Sequence, residues 1–155
     1  MSYKSFDTSN AIGKAFEKKL HTWLDMTLGQ AWIIKDTSDK CRVDGDQYPD
    51  FELYNRSSKT FFFVDAKVRK AYEYKGKRSF GFDLQFYTSY MNIAAKHNTH
   101  VVIAFNDPEF DPNGVYFLNL QKLQPDLRYN YNNDTTTLRS TRVGWYIDKL
   151  KRENL

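Results

Sequence analysis

Tyr48-Pro-Asp50-Phe-Glu-Leu-Tyr-Asn-Arg-Ser-Ser-Lys-Thr-Phe-Phe-Phe-Val-Asp65-Ala-Lys67 holds two aromatic-rich apolar runs that meet at a short polar turn, a pattern that predicts a β-hairpin. Side chains two apart on a strand face the same way, so Phe61, Phe63, Asp65 and Lys67 share one face while Phe62, Val64 and Ala66 take the other. A turn centred on Ser57-Ser58 sets Tyr54 against Phe61, Glu52 against Phe63 and Asp50 against Asp65. Carboxylates directly opposite each other destabilise a sheet unless something positive is held between them. A divalent cation is the obvious candidate.

Pro49-Asp50, fourteen intervening residues and then Asp65-Ala66-Lys67 resemble the PD-(D/E)xK signature of the restriction-endonuclease-like nuclease superfamily. That resemblance implies an αβββαβ core with a central mixed sheet flanked by helices, covering roughly residues 10 to 106. It also implies Mg²⁺, or Mn²⁺ as a substitute, held by Asp50, Asp65 and the Ala66 carbonyl. Lys67 would orient the attacking water or stabilise the developing anion. The first helix of such cores often adds an acid, for which Glu17 is the best-placed match, and a Gln of the second helix, here Gln85, often positions the metal or the DNA. In many relatives Tyr follows that Gln by four residues; here Ser89 has the place and Tyr90 is one further.

Working outward, Ser9 or Asn10 can cap a helix running to about Leu28, with Ile12, Phe16, Leu20, Trp23 and Thr27 on one stripe and Gly29 ending it. Glu17 lies about 100° round from Phe16, at the border of that stripe. Ala31 to Lys35 reads as a strand and Asp36 to Gln47 as a polar loop. Its Asp44-Gly45-Asp46 lacks the remaining ligands of a calcium-binding EF-hand. Phe82 to His97 has helical spacing, and His100 to Phe105 is an apolar run expected of a strand buried on both faces. A turn-rich loop over 106 to 114 precedes a strand at Val115 to Leu120. Gln121 to Leu127 suggests a helical turn, Arg128 to Arg142 an exposed loop or ribbon, and Val143 to Glu153 a closing short helix. The class is α+β (α/β), as one domain over residues 1 to 155.

The 155 residues suffice for a core without disulfides, and the lone Cys41 fits a reducing compartment and lacks the spacing of a zinc site. No signal-peptide pattern and no run of roughly 20 apolar residues is present, so a cytoplasmic protein without a membrane span is expected. The net charge of +4 is unevenly spread. From Lys67 to Arg78 six Lys or Arg stand against one Glu73, interleaved with Tyr72 and Tyr74, the composition of a surface that tracks phosphates and stacks on bases. Lys70, Lys75, Lys77 and Arg78 are its candidate nucleic-acid contacts. His21, His97 and His100 are placed like surface or helix-end residues, and no triad motif or Gly-rich phosphate loop is present. The expectation is a Mg²⁺-dependent nuclease acting on phosphodiesters, in DNA, of endonuclease or junction-resolvase type, with a homodimer as a plausible assembly. The rival is a non-catalytic nucleic-acid-binding or interaction module on the same fold, although such a module gains nothing from carboxylates beside phosphate.

Overall fold

A computed structural model describes residues 6–37, 46–132 and 139–155. The hairpin forms as expected: β2 (Phe51–Asn55) and β3 (Phe61–Val68) are antiparallel, with Tyr54 against Phe61 and Glu52 against Phe63. The Asn55 side-chain oxygen accepts the Ser57 and Ser58 N–H groups at 2.9 and 3.1 Å, and Lys59 turns through φ 58°. This Asx turn sets the register, because a hairpin's pairing is determined by its turn.

β1 (Trp32–Asp36) pairs with β2, and β6 (Val101–Asn106) lies parallel to β3. β7 (Gly114–Asn119) and β10 (Lys151–Asn154) extend a mixed six-stranded sheet in the order β1-β2-β3-β6-β7-β10. Parallel pairing needs a crossover, here the chain through α2 (Leu84–His97). α1 (Phe6–Leu28) covers one sheet face: Phe16, Leu20 and Leu24 pack with Phe51, Leu53, Val64, Ala104 and Val115. Phe61 and Phe63 face the other way, into a core shared with Tyr90, Ile93 and Ala94 of α2. The two faces of β3 are thus divided as its alternation predicts.

Several elements differ from the sequence expectation. α1 starts at Phe6, ahead of the Ser9 and Asn10 expected as its cap, while Gly29 ends it at φ 78°. Its buried stripe runs through Leu24 and leaves Thr27 exposed, because i and i+4 neighbours line one face. The basic stretch is no loop: β4 (Tyr72–Tyr74) and β5 (Lys77–Asp83) form a hairpin over Lys75-Gly76, both at positive φ (51° and 78°). Such two-residue turns match strand twist. α2 therefore begins after Phe82, which lies on β5.

β8 (Leu127–Asn132) and β9 (Arg139–Tyr146) pair as an antiparallel ribbon, one of the two forms expected there, and join the outer hairpin in a second sheet, β4-β5-β9-β8, that the sequence does not predict. The closing helix does not form either. Val143 and Trp145 alternate inward on β9, burying against Phe80 and Phe82, and only Ile147–Lys149 forms a 3₁₀ turn before β10. Residues 121 to 126 form a turn and coil, not a helix, and Leu127 opens β8. Asp44, Gly45 and Cys41 fall outside the described residues. No described helix is long and apolar enough to cross a membrane.

Candidate active site

β2 stops at Phe51, so the next position of β3 meets Asp50 as a bend rather than as a ladder partner. The Ala66 N–H donates to Asp50 Oδ2 at 2.8 Å, replacing the ladder bond that β2 no longer supplies. A strand residue directs its N–H and C=O to the same side, so the Ala66 carbonyl also projects from this edge. Thr37, buried at the end of β1, fixes the segment: its N–H donates to the Asp50 carbonyl at 2.8 Å and its hydroxyl to the Pro49 carbonyl.

Asp65 is buried, and its Oδ2 has no hydrogen-bond partner although Lys67 Nζ forms an ion pair with it at 3.0 Å. Burial, then the Asp65 and Glu17 carboxylates, push Asp50 up to about 9. Burial and the Asp65 charge likewise raise Glu17, which α1 brings near the Asp50 carboxylate. Glu17, Asp50 and Asp65 are thus brought within electrostatic reach of one another. Among the described residues no three His, Cys, Asp or Glu are closed up at coordinating distance. The donors still suit a hard divalent cation: all are oxygens, and Asp50 retains a proton at neutral pH that a cation could displace.

Lys67 is 6% exposed. Its Nζ donates to Tyr90 Oη at 3.3 Å and lies 4.6, 5.2 and 5.3 Å from the ring centroids of Phe86, Phe82 and Tyr90. The ammonium thus has an acid on one side and an aromatic wall on the others, a setting that favours cations. Burial and the Asp65 carboxylate push the Tyr90 phenol well above its ordinary value, so it stays a neutral donor and acceptor. Sequence reasoning missed Tyr90, Phe82, Phe86 and Thr37. Phe86 and Tyr90 lay in a helical stripe with no mark of what the stripe would face.

Gln85 is exposed on the first turn of α2. Among the basic residues, Lys70 lines a cleft beginning at Val68, next to Lys67. Lys75 stands over Tyr74, Lys77 over Tyr146 and Arg78 over Phe110, at 5.3, 4.9 and 4.5 Å, on the outer hairpin.

No curated protein sequence matches the chain. Among solved structures, it is similar to Hjc, a Holliday junction resolvase from the archaeal hyperthermophile Archaeoglobus fulgidus, at 16% identity over 83% of this chain and 86% of that one, with a TM-score of 0.48. The model of the type II restriction enzyme MjaV family matches residues 2–142, a span that takes in the carboxylate-bearing hairpin and both helices. The chain belongs to that family, and with it to the restriction-endonuclease-like nucleases that act on DNA.

Proposed function

We propose that the chain is a Mg²⁺-dependent endonuclease that hydrolyses phosphodiester bonds in DNA, working in the cytoplasm as one nuclease domain. The observation that carries this reading is the gathering of Glu17, Asp50 and Asp65 beside a buried Lys67. Asp50, Asp65 and the Ala66 carbonyl would hold Mg²⁺, with Mn²⁺ as a substitute, and Glu17 would add a direct or water-mediated contact. Bound there, the ion supplies a lowered pKa for a water and positive charge opposite the phosphate oxygens.

The chain's own groups do the rest. Asp50 gives up the proton that burial and its neighbours make it keep, since a metal ligand must be ionised. Lys67, fixed between Asp65 and Tyr90, offers a preorganised ammonium to the charge that develops on the phosphate. Lys70, Lys75, Lys77 and Arg78 draw the DNA backbone toward this end of the sheet. Two copies acting together would cut both strands of a duplex.

Cleavage of labelled duplex and branched DNA with and without Mg²⁺ tests the reading. Lys67→Ala should lower turnover about 10²-fold or more while metal-free DNA binding changes far less. Metal-dependent cutting undiminished in Lys67→Ala and Asp50→Asn would sink the assignment of both residues.

A further inference from the structure

Directly beyond Lys67, the connector Val68–Ala71 and the second sheet enclose a cleft of about 620 Å³, within the size range of small-ligand sites. Arg69, Lys70 and Arg142 line it, with Glu73 as the sole lining carboxylate among the described residues. Arg69 is half-buried; desolvation, together with the neighbouring Arg142 charge, lowers its pKa, and its Nη1 donates to the Val68 carbonyl at 2.9 Å. Arg142 pairs with Asp83 at 3.1 Å. The cleft therefore gathers three cations, contributed by segments far apart in the chain.

Its other wall is aromatic. Tyr72 and Tyr129 lie parallel at 5.1 Å with their planes 8° apart, and Tyr74, two residues along β4, lies beside Tyr72 with its ring centre 6.4 Å away. Gly81 and Gly144 are cross-strand partners beneath Tyr129. A Cβ at Gly81 would meet the Val143 carbonyl at 2.6 Å and Tyr129 Oη at 2.9 Å, so glycine is what lets this ring lie close on the sheet. Covering glycines accounts for Tyr129 but not for Tyr72, which stays 39% exposed in a basic surrounding.

We propose that this cleft is a nucleotide subsite: Arg69 and Arg142 hold a backbone phosphate of the DNA strand near the scissile bond, and the Tyr72–Tyr129 wall carries that nucleotide's base. The position supports this occupant. The Arg69 N–H donates to the Asn106 carbonyl at 3.0 Å, keeping the connector extended past β3. Arg69 thus stands roughly 7 Å beyond Lys67, near the axial rise of two nucleotides. Guanidinium groups match phosphate geometry, and base–aromatic stacking tolerates any base.

The inference rests on the nuclease reading for its substrate, but its test needs no turnover. Binding of a short 5′-phosphorylated single-stranded DNA is measured in EDTA across a salt series. Tyr72→Ala should weaken binding about tenfold at an unchanged salt slope, and Tyr72→Phe, which keeps the ring, should bind as the parent does. Arg142→Gln should reduce the slope of log K against log salt by about 0.7. Parent-like binding by Tyr72→Ala, or failure of Tyr72→Phe to restore it, overturns the subsite even if Arg142→Gln proves poorly folded. Absence of Mg²⁺-dependent cutting by the parent would instead overturn the nuclease reading and leave these binding results standing.

Discussion

At the carboxylate end of the hairpin, three acids share a partly buried space with one lysine, whereas on the outer sheet cations and tyrosines share a surface open to solvent. Both places gather like charges, and both are unfavourable until a counter-charge arrives. At the first, burial makes the conflict severe enough that Asp50 holds a proton to about pH 9. At the second, water screens the repulsion between the exposed cations. A buried cluster of like charges selects a small, firmly held counterion, while an exposed one selects a long polyanion held by many weak contacts.

The largest expected effect breaks the carboxylate side of that comparison. Between its ordinary 3.8 and about 9, folded Asp50 keeps a proton that the unfolded chain has lost. Its contribution to stability is thus full below the lower value and is lost as pH rises through the higher one. Metal-free protein should therefore lose stability from about pH 5 to about pH 8, by up to about 1.4 kcal/mol per pH unit. Asp50→Asn should flatten this slope. Mg²⁺ should raise the melting temperature more at the higher pH, because protons compete for the same oxygens. Thermal melts of both proteins over that range decide the matter, and identical pH and metal responses would remove Asp50 from the ligand set.

A smaller effect sharpens the exposed side. Replacing Lys70, Lys75, Lys77 and Arg78 together by Ala should weaken duplex binding and lower the salt slope by about 0.9 for each phosphate that is no longer neutralised. The fold should tolerate the change, since all four side chains are exposed. An unaltered slope would move the DNA-binding face elsewhere on the molecule.

The smallest effect concerns Gln85, which stands one residue from Phe86 of the Lys67 wall and is itself exposed. Gln85→Ala should change stability by no more than about 0.5 kcal/mol. If Gln85 positions the substrate, KM for DNA should rise with little change in kcat, a split that steady-state cleavage assays would resolve. Unchanged kinetics would leave Lys67 dependent on Asp65 and Tyr90 alone.

What the sequence by itself determined is local. Alternation of side chains along β2 and β3, the Asn55-Arg56-Ser57-Ser58 turn and the Gly29 stop depend on neighbours a few residues apart, so the hairpin and the end of α1 were legible, whereas Asp50 lies just past the ladder and meets the Ala66 N–H instead of pairing with Asp65. The second sheet was not. Val143 and Trp145 carry the same apolar residues whether spaced for a short helix or a strand, and only pairing with β5, some sixty residues earlier, decides for the strand. Tyr90 and Thr37 likewise join the site through packing between elements, Tyr90 from a helix that crosses over β3 and Thr37 from the end of an adjacent strand. The Arg69–Arg142 and Tyr72–Tyr129 pairings exist only once that sheet has formed. Periodicity and turn chemistry act within a segment, whereas the partner that buries a segment's apolar face, and the charges brought beside it, are settled by the tertiary structure.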